Sequence, residues 1–228
     1  MRRRSPRTKL LRTWTVPVWL LLASGLQPGT LEAQSRDRDA WQRVPDVITA
    51  LSIGAGSRVA DVGAGGGYFT EHLARDVGTG GRVFAMEISE PALARLGRLA
   101  ESQSLDNVEV IRGQIDDPGL PDRSLDAVLV VDAYHEMTEH AAMLAGLYRA
   151  LRPDGRLVIL DLAPSDSGAS RDRQTASHRL AITLAEQEIL EAGFEVVSRD
   201  PQFTRDGRGR RQWMLVARRP ALPISPRG

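Results

Sequence analysis

The chain of 228 residues contains no cysteine. This absence excludes disulfide bonds, thiolate metal ligands and thiol nucleophiles, and it fits any cellular compartment. The sequence also shows no internal repeat and no low-complexity array. Hydrophobic residues make up 42% of the chain, which at this length is enough for one sizeable core. A single folded domain is therefore the simplest prediction.

Acidic residues are missing from the first 31 positions. Six basic residues there precede an apolar run over 14–23, a pattern typical of a secretory signal, and Leu31-Glu32-Ala33 offers a cleavage site. The run is short for a membrane-spanning helix and contains Pro17, so an uncleaved anchor is the second interpretation. We expect residues 1–33 to be a secretory signal or an N-terminal anchor. The protein is then exported (periplasmic or extracellular) or membrane-anchored, and it is cytoplasmic if the leader is a start-site artefact.

The remainder of the chain lacks an excess of positive charge. The leader holds six of the 30 basic residues and one of the 29 acidic residues, so the rest has a formal charge of −4. A nucleic-acid partner requires a basic face. One candidate basic cluster exists, formed by Arg205, Arg208, Arg210 and Arg211. Glycines and an aspartate interrupt it, and it lies between two strand patterns, so a solvated hairpin loop is predicted there. We therefore expect no nucleic-acid partner.

Strand-like apolar runs alternate with helical stretches along most of the chain. This alternation predicts parallel strands joined by right-handed crossovers, and hence a doubly wound α/β sheet with helices on both faces. A long helix near 174–192 and two further strands, joined as an antiparallel hairpin, are predicted to follow. The strand runs are 58–62, 82–88, 108–112, 125–131, 156–162, 194–198 and 212–217, and the earlier helical stretches lie near 40–51, 68–76, 90–102 and 138–151.

The most informative segment is the glycine-rich turn from Asp61 to Gly67, which joins the first strand to a helix that begins near Tyr68. A turn without side chains lets a ligand approach the main chain and the amide groups of the helix N-terminus. The dinucleotide fingerprint requires a third glycine at its sixth position. Counted from Gly63 this position is Tyr68, and counted from Gly65 it is Thr70. The turn is therefore predicted to hold a cofactor other than a dinucleotide.

An acidic residue followed by glycines at every second position, Asp61, Gly63, Gly65 and Gly67, resembles the class I S-adenosylmethionine-dependent methyltransferases. The ordered match to this family runs from about Val44 to Arg218. It implies a seven-stranded, mostly parallel Rossmann-like sheet that ends in an antiparallel hairpin, with residues 34–218 as the methyltransferase domain. Residues 34–40 and 219–228 are expected to be loose tails.

The resemblance also implies S-adenosylmethionine as the cofactor and assigns further contacts. Glu87 ends the second strand, where a carboxylate accepts hydrogen bonds from the ribose hydroxyl groups. In the family an acidic residue after the third strand holds the adenine amino group. Alignment on the Leu120-Pro121 pair selects Asp116 for this role, whereas alignment on Gly113 selects Gln114. We favour Asp116.

The loop after the fourth strand carries the candidate catalytic residues. Methyl transfer from a sulfonium requires an aligned nucleophile, and a base is needed when that nucleophile carries a proton. His135 has an ordinary pKa near neutrality and is the candidate base, and Asp132 is placed to orient it or to bind substrate. The alternative is that both residues only begin the following helix. His178 is a weaker candidate on a stretch that covers the site in related folds.

A metal-dependent site is a further alternative, because some related enzymes bind a divalent cation through carboxylates after the fourth and fifth strands. Asp132 and Asp161 occupy such positions, but Leu162-Ala163-Pro164 provides no third oxygen ligand. We therefore expect no metal.

The leading functional hypothesis is methyl transfer to a small-molecule acceptor, because no large inserted domain is present to grip a macromolecule. The alternative is a catalytically inactive adenosyl-ligand-binding protein that acts as a sensor or partner subunit. A nicotinamide-dependent oxidoreductase is third, because Tyr68 replaces the final glycine. Membrane contact is expected only through the N-terminal segment if it is uncleaved, and the sequence predicts no oligomeric state.

Overall fold

The computed structural model describes residues 37–221. The predicted leader over 1–33 and the end of the predicted tail, 222–228, lie outside the described residues. Among the residues that are described, no helix has both the length and the apolar character needed to cross a membrane.

The fold is a seven-stranded sheet with helices on both sides, which confirms the predicted doubly wound α/β architecture. The strand order is β3-β2-β1-β4-β5-β7-β6. The first five strands pair in parallel, and β7 pairs antiparallel with both β5 and β6. The strands are β1 (Arg58–Val62), β2 (Arg82–Glu87), β3 (Val108–Arg112), β4 (Leu125–Val131), β5 (Leu151–Leu162), β6 (Glu195–Arg205) and β7 (Arg211–Arg218). The helices are α1 (Val44–Leu51), α2 (Tyr68–Val77), α3 (Glu90–Ser102), α4 (His140–Ala150), α5 (Arg171–Ala176) and α6 (Ile182–Glu191).

Side chains of the central strands point alternately into two hydrophobic clusters, one on each face of the sheet. Val59 packs with α1 and α2, whereas Ala60 and Val62 pack with α4 and α6 on the other face. Because both faces of these strands are buried, their sequences are apolar throughout rather than alternating. The order of the sheet reverses between β1 and β4, and a doubly wound sheet has its ligand crevice beside the carboxyl ends of the strands at this point.

The prediction of one long helix over 174–192 is wrong, because this region contains two helices separated by residues 177–181. The side chain of Gln174, which is buried, accepts a hydrogen bond from Ala181 N at 2.7 Å and donates one to Ala169 O at 2.7 Å. The main chain of Leu180 donates to Leu162 O at 3.0 Å, which ties the break to the end of β5. These contacts interrupt a helical pattern that is continuous in the sequence.

The predicted loose tails are shorter than expected where the structure describes them. Residues 37–41 are helical and pack before α1. At the other end, Arg219 is buried, and its Nη1 donates hydrogen bonds to Leu151 O at 2.7 Å and Tyr148 O at 2.9 Å. The strand predicted over 156–162 also begins earlier, at Leu151, with a shift in its register against β4.

Candidate active site

Three of the four glycines in the turn after β1 adopt positive φ angles, and their surroundings differ. Gly63 (φ 71°) has no room for a side chain, because a Cβ there would lie 2.5 Å from the Cβ of Ala133. Gly67 (φ 88°) begins α2 against Leu99, which a Cβ would overlap. Gly65 (φ 60°) is different, because no other side chain lies within 4 Å of a Cβ placed there. The main chain at Gly65 is therefore open to a ligand.

Glu87, at the end of β2, faces the same turn. Its Oε1 accepts a hydrogen bond from Gly65 N at 2.8 Å, and its Oε2 accepts one from Ile88 N at 3.0 Å. Ser89 N lies at 3.5 Å from the same Oε2, whereas Oε1 has one partner and, with two lone pairs, retains the capacity to accept a further hydrogen bond. The resemblance implies that Glu87 faces a ribose, and the structure places it beside an open glycine main chain.

A cavity of about 270 Å³ lies between the glycine turn, the end of β2 and the loop after β3. Gln114 and Ile115 line it, whereas Asp116 is exposed and lies outside the lining. The loop turns back directly after β3, since Gln114 N donates to Asp117 O at 2.7 Å, and this turn leaves Asp116 on the outer side. The structure therefore places Gln114, the alternative that the sequence left open, at this cavity, and it does not place Asp116 there.

A second cavity, of about 390 Å³, lies over the other side of the glycine turn at the start of α2. It shares Gly63, Gly65 and Asp132 with the first cavity, so the two are adjacent along the turn. Asp61 lines it, and its Oδ2 accepts a hydrogen bond from Thr70 Oγ1 at 2.6 Å. Burial raises the pKa of Asp61 to about 6 in spite of this hydrogen bond. In its ionised form, Asp61 favours a cationic ligand group in this cavity.

Arg38 is a site residue that the sequence prediction missed. It lines the second cavity, and its guanidinium group lies 3.6 Å from the centre of the Tyr68 ring. Its Nε donates a hydrogen bond to Gln42 Oε1 at 2.9 Å. The charged composition of 34–40 suggested a loose segment, and only the folded contacts with α2 bring this residue to the site. A fixed guanidinium group is well suited to bind a carboxylate.

His135 and Asp161 form a buried pair at the ends of β4 and β5. Asp161 Oδ2 accepts a hydrogen bond from the main-chain N of His135 at 2.9 Å, and Asp161 Oδ1 lies 2.7 Å from His135 Nδ1. Since the carboxylate can only accept, Nδ1 carries the proton, and Nε2 carries the lone pair of the neutral ring. Burial lowers the pKa of His135, but the hydrogen bond and charge of Asp161 outweigh it, and the resulting pKa is above the ordinary value.

Asp132 lies in the crevice but does not orient the candidate base. It lines both cavities, and its Oδ1 accepts a hydrogen bond from Gln212 Nε2 at 2.8 Å. The carboxylate that holds the ring of His135 is Asp161, so the orienting role predicted for Asp132 is corrected. Burial, together with the charge of Asp161, raises the pKa of Asp132 to about 6. Its φ of 52° is a conformation that residues other than glycine rarely adopt.

The ring of His135 lies beside the first cavity and not in its lining. Glu136 lines this cavity, and its Oε1 lies 3.7 Å from His135 Nε2. The ring of His178 packs edge-on against that of His135, with centroids 5.7 Å apart, so the structure brings together two candidates that lie 43 positions apart. Glu136 and His178 thus cover the buried imidazole.

The carboxylate pair considered for a cation is already engaged. Both oxygens of Asp161 accept hydrogen bonds from His135, and Oδ1 also accepts one from Leu162 N at 2.7 Å. The side-chain amide of Gln212 donates a hydrogen bond to Asp132 Oδ1. These two carboxylates therefore do not form an open oxygen site for a hard cation.

The residues do fit an adenosyl sulfonium donor. The open main chain at Gly65 and the carboxylate of Glu87 suit a ribose, and Gln114 offers an amide at the end of the same cavity. Asp61 and Arg38 carry opposite charges in the adjacent cavity, as a zwitterionic amino-acid group requires.

Comparison with known proteins agrees with this geometry. A family model described as a methyltransferase domain matches residues 60–159. The ubiquinone/menaquinone biosynthesis C-methyltransferase UbiE of Marinomonas sp. (strain MWYL1) is 30% identical over 129 residues, which cover 56% of this chain and 50% of that protein. The protein of the same name from Hahella chejuensis is 30% identical over 125 residues, covering 54% of this chain and 49% of that protein. The chain spans about half the length of the curated relatives it matches.

Solved structures show the same fold. A SAM dependent methyltransferase from Aquifex aeolicus has a TM-score of 0.67 at 22% identity, covering 85% of this chain and 98% of that one. The [4+2]-cyclase SpnF has a TM-score of 0.69 at 20% identity, covering 84% and 83%. The methyltransferase domain matched over residues 60–159 and these similarities support the resemblance of the chain to the class I S-adenosylmethionine-dependent methyltransferases, a family whose cofactor is S-adenosylmethionine.

Proposed function

We propose that the protein transfers a methyl group from S-adenosylmethionine to a small-molecule acceptor. The observation that carries the proposal is the pair of adjacent cavities that meet at Gly63, Gly65 and Asp132, one suited to an adenosyl group and the other to an amino-acid group. In this assignment Glu87 binds the ribose, Gln114 faces the adenine, and Asp61 and Arg38 bind the amino and carboxylate groups.

The cofactor supplies an electrophilic methyl group on a positively charged sulfur. The carboxylate of Asp132 lines both cavities and favours a cation there. The acceptor approaches from the side of Glu136, whose side chain is 62% exposed and free to move aside. With the donor bound, its methyl–sulfur bond would break, with the electron pair remaining on sulfur, as the methyl carbon bonds to the acceptor atom. His135 Nε2 would take the proton of an acceptor hydroxyl or amine, and Asp161 would stabilise the imidazolium that forms.

The donor part of the proposal is tested by titration calorimetry on the full chain. S-adenosylmethionine and S-adenosylhomocysteine are expected to bind, and NAD is not. Binding of NAD alone would contradict the assignment. Retained binding with no transfer across the acceptor panel would instead support the alternative of an inactive adenosyl-ligand-binding protein.

The acceptor panel begins with quinone-type carbon acceptors, since the curated relatives are named C-methyltransferases of ubiquinone/menaquinone biosynthesis. It extends to phenols, amines and thiols. With an acceptor in hand, His135→Ala is expected to lower kcat about 100-fold or more while donor affinity changes little. The wild-type rate with a hydroxyl or amine acceptor should rise with pH through the raised pKa of His135, because only the neutral ring is a base. A rate independent of pH and of His135 would contradict the assignment of the base.

A further inference from the structure

A cluster of three metal-ligating side chains lies at the edge of the first cavity. One ligand atom from each of His135, Glu136 and His178 lies within 4.8 Å of the other two. Glu136 Oε1 is central in this cluster, 3.7 Å from His135 Nε2 and 3.4 Å from His178 Nδ1. In a tetrahedral zinc site with ligand distances near 2.0–2.1 Å, neighbouring ligand atoms are about 3.3 Å apart. These two separations are therefore within a few tenths of an ångström of metal-site geometry.

The buried histidine of the cluster is oriented as a metal ligand requires. Asp161 Oδ1 lies 2.7 Å from Nδ1 of His135, which places the proton on Nδ1 and leaves Nε2 as the donor atom that faces Glu136. A ligating histidine in metalloproteins usually donates its second ring N–H to a carboxylate in this way, which fixes the ring and strengthens it as a ligand. The orientation of His135 is thus independent support for a site, beyond the proximity of the three groups.

Two anchored segments bring the cluster together. The Tyr134–Glu136 turn is held by Tyr134, whose hydroxyl donates to Glu188 Oε2 at 2.7 Å. The segment that carries His178 is held to the same carboxylate by Arg171, whose Nε donates to Glu188 Oε1 at 2.7 Å. Glu188 is buried and belongs to α6, so one rigid element positions both halves of the cluster. Their approach therefore does not depend on the exposed side chains alone.

We propose that His135, Glu136 and His178 bind one divalent transition-metal ion, with Zn²⁺ as the preferred class. Two imidazole nitrogens and one carboxylate oxygen suit zinc, whereas calcium and magnesium prefer sets of oxygen ligands. Glu136 supplies one negative charge directly, and Asp161 supplies a second behind His135. Three protein ligands leave the fourth position for water or a small ligand.

Metal binding has a consequence for catalysis that rests on the proposed function. Zinc at this position uses the Nε2 lone pair that His135 needs as a base, and it holds Glu136 and His178 over the ring. Zinc therefore inhibits methyl transfer to acceptors that must lose a proton, and removal of the ion by a chelator restores the rate.

The binding step is tested with Zn²⁺ titrated calorimetrically into the metal-free full chain, expressed without a histidine tag. One ion per chain is expected. His178→Ala and Glu136→Ala should each weaken binding by about 100-fold or more, since loss of even a supporting outer group costs roughly 10- to 100-fold. His178 and Glu136 are 72% and 62% exposed, so these variants are expected to fold. His72→Gln, on α2 and outside the cluster, is the matched control and should bind zinc as the wild type does.

The outcomes separate this proposal from the proposed function. Absence of zinc binding, or binding that is unchanged in both cluster variants, overturns the metal site whatever the enzyme activity. If zinc binds as expected but transfer is unaffected or accelerated, the inhibitory role is overturned while the site stands. Titration of S-adenosylhomocysteine into the same protein preparation reports on the donor site independently, so a failure there contradicts the proposed function and not the metal site.

Discussion

Replacement of Glu87 by glutamine separates its two contacts with the donor site. The carboxylate accepts a hydrogen bond from Gly65 N at 2.8 Å, and in the proposed function it also binds the ribose hydroxyl groups. Glutamine retains a carbonyl oxygen for Gly65 and loses the negative charge. Alanine removes both the contact with the turn and the contact with the ligand.

The expected losses follow from the strength of charge-assisted hydrogen bonds. Hydrogen bonds to charged groups contribute about 1.5–3 kcal/mol, roughly twice the value for neutral pairs. Glu87→Gln should therefore cost about 1 kcal/mol of donor binding, which corresponds to an affinity about fivefold lower. Glu87→Ala should cost about 2–3 kcal/mol, or roughly 30- to 150-fold.

The assay is calorimetric titration with S-adenosylhomocysteine, which needs no acceptor. Glu109→Gln is the matched control, since this exposed glutamate lies on neighbouring β3, where its Oε2 is 3.8 Å from Arg82 Nη1, and is not part of the lining of either cavity. Unfolding midpoints for all variants show whether the fold is retained. Wild-type affinity in Glu87→Ala, with the fold intact, would refute the placement of the ribose beside Glu87.

Three further predictions concern the donor cavity and the C-terminal end of the described chain. The affinity for S-adenosylhomocysteine should weaken as the pH falls through about 6, because Asp61 becomes protonated. The variant Asp61→Asn should have a lower affinity at pH 8 and a smaller pH dependence. A pH-independent affinity in the wild type would contradict the assignment of Asp61. Arg38→Ala should lower the affinity for S-adenosylhomocysteine about tenfold and leave the affinity for adenosine unchanged, because adenosine lacks the carboxylate. Titrations with both ligands measure these affinities. Equal losses for the two ligands would exclude the carboxylate contact. Arg219→Ala should lower the free energy of unfolding, measured in urea, by about 2–3 kcal/mol, because it leaves buried carbonyl groups without a hydrogen-bond donor. The control Arg218→Ala removes a half-exposed side chain beside Glu195 and should cost less than about 1 kcal/mol. Similar losses in the two variants would show that the buried contacts of Arg219 contribute little.

The geometry of the glycine turn and of Glu87 is largely predictable from sequence because these parts are local. The turn from Asp61 to Gly67 joins one strand to the next helix, and the positive φ angles at its glycines follow from a chain reversal that other residues resist. Glu87 is placed by the end of a single strand. The parallel pairing of β1 with β2 then brings the two together. Each step needs only strand ends and a sheet order, both of which apolar runs and glycines indicate.

The surroundings of His135, and the position of Arg38, depend on tertiary contacts that leave no local pattern. Asp161 reaches His135 only because β4 and β5 are neighbours, and it replaces Asp132, the carboxylate that is closer in sequence. His178 reaches the same ring because the helical pattern is interrupted before α6, where Leu180 N donates to Leu162 O at the end of β5. Arg38 enters the donor cavity from a segment whose composition resembles a tail. In each case a tertiary contact overrides local propensity.

The charges of the crevice explain why the fold retains two unfavourable carboxylates. Asp61 and Asp132 line the same cavity, and burial raises the pKa of each to about 6, about two units above the unfolded value. One pKa unit corresponds to about 1.4 kcal/mol, so each ionised group lowers stability at neutral pH by up to about 3 kcal/mol, and this cost is relieved as the pH falls below 6. A bound cation lowers both pKa values and removes the same cost at neutral pH. In the proposed function the energy stored in the two carboxylates is available to bind a positively charged donor. The amino group bound by Asp61 is retained in the product, whereas the uncharged sulfur left after methyl transfer interacts less favourably with Asp132, which promotes product release.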